Sequence, residues 1–231
     1  MGEAVFYLGA LVLVGYFFWM WLQDYRRNAG ALAEQAVDQM PAAEAVRAAR
    51  EIGEDTLPGA MPVGLPAVVI AVVGSLAILG LEVVGEYQLD IVGEQTEMAV
   101  LFGIYTLAAA FIEELIFRGF LYYDRGGRWG LVISIILVSL LFALLHAYLW
   151  KFEPRDEIPW SEFYRCWSLD LSVKAVFSTA IVFINSLWFY FVRFFALNRY
   201  RSLVPCFAGH FSSNLGVFVI KLLQGKVVGL I

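Results

Sequence analysis

Two glutamates, Glu113 and Glu114, stand side by side inside the apolar run Leu107-Ala-Ala-Ala-Phe-Ile-Glu-Glu-Leu-Ile-Phe-Arg118-Gly. An ionisable side chain at membrane depth is costly unless it is paired, hydrated or neutralised, which makes it a functional candidate by default. On a helix Glu114 and Arg118 are four residues apart, share one face, and follow the acid-before-base order that pairs best. Glu113 is turned about 100° away and lacks this local partner. The spacing divides the pair: Glu114 is expected to be structural, and Glu113 to be available for proton transfer in a site of low dielectric. The chain's two histidines, His146 and His210, also lie in apolar stretches. Phe142 precedes His146 by four residues, so its ring can pack beside the imidazole. Asn214 follows His210 by four, which puts an imidazole and an amide on one helix face. A single intramembrane histidine or asparagine is often only an interhelical hydrogen bond worth about 1 kcal/mol. Polar groups on three separate helices point instead to one shared cavity, because each left alone in an apolar surround is costly.

The elements that must position these groups are membrane helices. The chain of 231 residues is 61% hydrophobic and 16% charged, with a mean hydropathy of +0.72, where soluble domains carry about 25% charged residues. Runs long enough to cross a bilayer, about 17–25 residues each, fall at about residues 4–22, 62–84, 98–122, 129–150, 174–197 and 204–223. The strand alternation of an outer-membrane barrel is absent, and backbone groups in lipid must be satisfied internally. The expected fold is therefore all-α: a polytopic membrane protein of about six transmembrane helices. It divides into residues 1–61, an N-terminal transmembrane helix with a polar surface segment; 62–97, a second helix and loop; and 98–231, a four-helix core that carries every candidate residue. The first apolar run lacks a positively charged flank and is longer than a secretory signal core, so it is expected to be retained. Phe6 breaks the myristoylation pattern that Met1-Gly2 begins.

Lys and Arg set the expected orientation. Arg26, Arg27, Arg47, Arg50, Arg118, Arg125, Arg128, Arg193, Arg199 and Arg201 fall on one side. The other side has Lys151, Arg155, Arg165, Lys174, Lys221 and Lys226. This predicts both termini outside the cytoplasm, in a multi-pass protein of a bacterial cytoplasmic membrane. Trp19, Trp21, Trp129 and Trp150 sit near expected helix ends as interfacial anchors. Residues 24–61 are polar and Ala/Glu-rich, with helix favoured over residues 42–51 and a substrate-gating role conceivable for a membrane-proximal loop. Residues 151–167 mix charge, proline and aromatics as an interfacial loop does. Counted from the assigned ends at about 1.5 Å per residue, Glu113 and His210 lie about 9–14 Å deep but His146 about 25 Å. A net charge of −5 without a basic cluster gives no reason to expect nucleic acid. Cys166 and Cys206 are too few for a disulfide framework, and Cys206 is expected to be packing.

Glu113-Glu114-x-x-x-Arg118, Phe142-x-x-x-His146 and His210-x-x-x-Asn214, in this order on separate apolar helices, resemble the motifs of the CAAX protease and bacteriocin-processing (Abi) family of glutamic-type intramembrane proteases. Leu203-Val-Pro-Cys-Phe-Ala-Gly-His210 also resembles that family's lead-in to its last motif. The resemblance implies that Glu113 with His146 activates a water for attack on a peptide carbonyl. It further implies that His210 and Asn214 stabilise the oxyanion, while Glu114 and Arg118, with Phe142 beside them, support the motif helices. No cofactor or metal is implied, and the partners are a membrane-associated peptide or protein substrate and the bilayer.

Three other classes fit some of these residues. Glu113, His146 and His210 are zinc ligands by type, although the His-Glu-x-x-His spacing of zinc proteases is absent. A non-catalytic scaffold or immunity protein would keep the same cavity for binding. A proton-coupled transporter would use the carboxylates as a relay, but transporters usually carry internal repeats and none is visible.

Overall fold

The apolar runs form helices as their length and composition require. In the computed structural model, which describes residues 2–153 and 159–230, the long helices are α1 (Gly2–Glu34), α3 (Leu65–Gln88), α4 (Val100–Glu114), α5 (Gly127–Leu145), α6 (Val173–Phe194) and α7 (Val204–Leu223). The short α2 (Ala42–Ile52) lies between α1 and α3, close to the helix expected there. Helix α4 continues as a π-helical turn over Leu115–Phe120. Six of these helices, counting α4 with its π turn, are long and apolar enough to cross a membrane. Their outward faces expose large apolar side chains such as Val12, Val73 and Leu137, as contact with lipid tails demands. The only described sheet is a hairpin of β1 (Trp150–Phe152) and β2 (Trp167–Leu169), antiparallel with Lys151 opposite Ser168. Arg155 lies outside the described residues.

Helix α7 is the centre of the bundle. It packs most extensively on α3 and also contacts α4 and α6, while α1 packs on α4 and α5 on α6. Gly209 makes the α3 contact possible: a Cβ there would lie 2.8 Å from Ser75 Oγ and 3.2 Å from the Ala71 carbonyl. Small residues that let backbones approach are the usual means of joining helices in lipid, where no hydrophobic force drives them together.

The two ends of the bundle are built differently. At one end residues 53–64 form a strap that is pinned on both sides. Trp21 Nε1 donates to the Pro58 carbonyl, Asn28 Nδ2 to the Ala60 carbonyl, and the Leu57 N–H to Asp24; Leu203 N–H donates to Gly59 and Ser202 Oγ to the Met61 carbonyl. Beneath the strap lies a core that includes Trp21, Ala60, Phe111, Leu115, Leu203 and Cys206. At the other end the C-terminal tail runs beside Met98, and the N–H groups of Val100 and Leu101 at the start of α4 donate to the Gly229 and Leu230 carbonyls. The tail thereby satisfies donors that a helix N-terminus leaves unpaired.

Four expectations change. Helix α1 runs twelve residues past Leu22, because Asn28 and Leu32 gain partners on the strap and on α2; Leu32 joins Val37, Ala45, Ala49 and Met61 in a second small core. Residues 53–61 are held against the bundle end by the hydrogen bonds of the strap. Trp21 is a buried core residue and not an interfacial anchor, whereas Trp19, Trp129 and Trp150 are exposed. Arg118 and Arg193 are buried inside the bundle, so the loop cations that bear on orientation fall from ten against six to eight against six. Helix α5 stops at Leu145 rather than at residue 150, for a reason that belongs to the site.

Candidate active site

Glu114 and Arg118 pair as the spacing predicts. Their side chains are 0% exposed, with Arg118 Nη1 3.0 Å from Glu114 Oε1. The guanidinium lies 4.2 Å from the centre of the Phe142 ring and 5.1 Å from that of Phe189, and its Nη2 donates to Ser186 Oγ at 2.8 Å. Aromatic faces attract a desolvated cation by up to about 2 kcal/mol, so Phe142 does more than flank His146. The π turn that carries Arg118 departs from α-helical bonding, with the Leu121 N–H donating to the Ile116 carbonyl. Tyr190 on α6 supports it by donating toward the carbonyls of Phe117 (2.6 Å) and Leu121 (2.7 Å). A π insertion of this kind is often found at functional sites.

His210 lies between the two glutamates. Its Nδ1 is 2.7 Å from Glu114 Oε1, and its Nε2 is 3.7 Å from Glu113 Oε2. Because an ionised carboxylate only accepts, Nδ1 is the donor on the Glu114 side. The Phe189 ring stacks on the imidazole with centres 5.0 Å apart, which fixes its plane. Glu114 is therefore more than a partner for Arg118: it also orients His210. Glu113 makes no arginine pair among the described residues, and its side chain is 34% exposed to a cavity of about 580 Å³. Phe142, His146, His210 and Asn214 line the same cavity. Asn214 Nδ2 donates to the Thr106 carbonyl of α4 at 2.9 Å, which leaves its second N–H for another acceptor.

His146 caps α5. Its Nδ1 is 2.8 Å from the Phe142 carbonyl, which can only accept, so Nδ1 carries the proton and Nε2 keeps its lone pair. That carbonyl is the one the backbone N–H of residue 146 would take in an α-helix. The N–H instead reaches the Ala143 carbonyl, and Ala147 follows in the left-handed region at φ 59°. The imidazole displaces its own backbone, and the helix ends without a glycine or proline.

The depth of His146 is also resolved. The backbone N–H of Tyr123, just past α4, donates to Ser134 Oγ in the middle of α5. Residue 134, and not residue 127, is thus level with the exit of α4. From there Phe142 and His146 rise about 12 and 18 Å at about 1.5 Å per residue, which brings them level with Glu113. The helix ends are not flush, and the unequal depths expected from sequence come from counting as if they were.

The structure therefore brings Glu113, Glu114, Arg118, Phe142, His146, His210 and Asn214 together. Ser186, Phe189 and Tyr190 of α6, which hold Arg118, His210 and the π turn, were not singled out from sequence. Their signal was a seryl and a tyrosyl hydroxyl four residues apart in an apolar helix. Among the described residues no group of three His, Cys, Asp or Glu side chains gathers as a metal site.

Fold and site define a multi-pass helical membrane protein that encloses acid, imidazole and amide side chains in one cavity. A family model described as Rce1-like, type II CAAX prenyl endopeptidase, matches residues 95–216. The chain belongs to this family, which implies a CAAX intramembrane protease. No curated protein and no solved structure matches it.

Proposed function

We propose that the protein is an intramembrane endopeptidase of the glutamic type that hydrolyses a peptide bond of a membrane-associated or C-terminally tagged substrate. Glu113, assisted by the free Nε2 of His146, takes a proton from water as the water oxygen attacks the scissile carbonyl. His210, protonated on both nitrogens and paired with Glu114 through Nδ1, donates from Nε2 to the oxyanion together with the uncommitted N–H of Asn214. The carbon–nitrogen bond then breaks as the proton passes to the leaving amine. Glu114 and Arg118 are positioning residues that act through His210 and the π turn. The observation that carries this reading is the place of His210, with one nitrogen against buried Glu114 and the other facing Glu113 in the cavity. A carboxyl base with polar groups preset around it in a water-poor site is what acyl transfer requires. The termini are read as lying outside the cytoplasm.

The test is the reconstituted protein with a library of membrane peptides, read by mass spectrometry. Glu113→Gln, His146→Ala and His210→Ala are each expected to abolish cleavage while the protein still inserts and folds. Normal turnover by Glu113→Gln overturns the mechanism. Stoichiometric zinc with chelator-sensitive cleavage replaces it with a metalloprotease, and peptide binding without cleavage replaces it with a scaffold.

A further inference from the structure

Three of the chain's four asparagines are staples. Asn28 Nδ2 donates to the Ala60 carbonyl, Asn198 Nδ2 to the Val192 and Ser202 carbonyls, and Asn214 Nδ2 to the Thr106 carbonyl. Asn185 staples nothing. It lies in the middle of α6 and lines the site cavity, yet it makes no hydrogen bond among the described residues, and its Oδ1 is fully buried without a partner. An amide placed in a membrane helix for structure would be hydrogen-bonded across to a neighbour. Buried polar atoms left unpaired in a native protein call for a reason.

The neighbours of Asn185 fix where it stands. The next residue, Ser186, accepts from Arg118 Nη2, and one turn further on Phe189 stacks on His210. Helices α6 and α7 are antiparallel neighbours joined by a short connection. Four residues before Phe189 and four after His210 therefore lie at one level: Asn185 faces the cavity at the depth of Asn214, one turn from His210 and Glu113 toward the open end, where the cavity reaches Glu86, Met98 and Lys221 away from the strap. With Oδ1 turned into the protein, Nδ2 is the atom left for the cavity. It is a donor, and an extended peptide presents carbonyl acceptors along its length.

We propose that Asn185 is a substrate-binding residue whose Nδ2 donates to a backbone carbonyl of the bound peptide, one helical turn toward the open end from the scissile bond. This rests on the cavity being the peptidase site. The contact supplies an acceptor for Nδ2, which has none among the described residues, and Ser186 and Phe189 hold Asn185 in register for it. It is sequence-tolerant, since every residue of a substrate carries the same carbonyl.

The probe is the library peptide that immobilised Glu113→Gln protein retains most strongly. Adding Asn185→Ala to that background is expected to weaken its binding about tenfold, the effect of one hydrogen bond of ordinary strength. In otherwise unaltered protein Asn185→Ala lowers kcat/KM for a cleaved peptide by a similar factor, with the loss in KM. The thermal unfolding midpoint is not lowered, because no intramolecular hydrogen bond is lost. Asn185→Ser is a second variant should the first fold poorly. Unchanged affinity in both variants overturns the proposal, as does a lowered midpoint with unchanged affinity, which is the pattern of a structural asparagine. A peptide that is retained but never cleaved, with retention still dependent on Asn185, overturns the peptidase reading and supports the contact.

Discussion

The two adjacent glutamates should respond oppositely to the same substitution. Glu114→Gln keeps the shape of the side chain and removes its charge, so Arg118, wholly buried and 3.0 Å away, loses its counterion. Removing one partner of a buried ion pair costs about 3–5 kcal/mol, because the other charge stays behind uncompensated. The rings of Phe142 and Phe189 and the Ser186 hydroxyl already hold the guanidinium in the paired state, so they return nothing when the pair is broken. Glu113→Gln removes a carboxyl that is one-third exposed and has no arginine partner, and its cost is expected to stay below about 1 kcal/mol. Glu114→Gln combined with Arg118→Met leaves no orphan charge, so the double variant should be more stable than the sum of the single losses by about 1–3 kcal/mol. Unfolding in mixed micelles of a mild and a denaturing detergent, followed by tryptophan fluorescence, measures the unaltered protein, the single variants Glu113→Gln, Glu114→Gln and Arg118→Met, and the double variant. Peptide cleavage on the same samples should fall to background in Glu113→Gln at nearly full stability. Equal stability losses for Glu113→Gln and Glu114→Gln, or strictly additive losses in the double variant, would refute the division of labour.

Tyr190→Phe removes the one hydroxyl proton that two carbonyls of the π turn share and should cost about 0.5–1.5 kcal/mol in the same unfolding assay. Unchanged stability would mean that the hydroxyl does not support the turn. Gly59→Ala should loosen the strap, since Gly59 has φ +64° and a Cβ would lie 2.9 Å from the Leu203 nitrogen, itself bonded to the Gly59 carbonyl. Left-handed strain alone costs about 1–2 kcal/mol, and faster proteolysis within residues 53–64 is the readout. For orientation, a cysteine at Gly229 in a protein lacking Cys166 and Cys206 should react with a membrane-impermeant reagent in intact cells. Reaction only after permeabilisation would put the termini in the cytoplasm.

The helices and the Glu114–Arg118 pair are legible in the sequence because both follow from local spacing. Apolar runs of bilayer length become helices whatever surrounds them, and the i, i+4 relation of Glu114 and Arg118 survives the change to a π turn. What could not be read was anything that depends on how helices slide along one another. The end of α5 at Leu145 is set by the bond between the His146 ring and the Phe142 carbonyl, in a stretch without glycine or proline. The offset of α5 against α4 is set by Tyr123 and Ser134, eleven residues apart and in no motif. The extension of α1 depends on a strap whose partners lie on α1 and at the start of α7. Asn185 is a single amide with no motif around it, and only a comparison of hydrogen bonds among the asparagines distinguishes it.

A membrane bundle can keep this many polar side chains because they sit on two sides of His210. On the dry side Glu114 and Arg118 neutralise each other, wholly buried beneath the strapped end, where an unpaired charge could not persist. On the cavity side Glu113 and His146 face a space that extends to Glu86 and Lys221 at the end away from the strap, the route the proposed reaction requires for water and peptide. His210 forms the wall, with a side chain only 8% exposed and one nitrogen toward each side. Since Nδ1–H donates to Glu114, the ring presents Nε2 to the cavity, where in the proposed mechanism the doubly protonated imidazole donates to the oxyanion. Glu114→Gln can still accept from Nδ1 through its amide oxygen, but it no longer supplies the negative charge behind the ring. Residual cleavage by that variant, measured at a temperature where it remains folded, should therefore fall through kcat, because the lost charge acts on the transition state and touches no part of the substrate. A loss confined to KM would place Glu114 in substrate binding and break the link through His210.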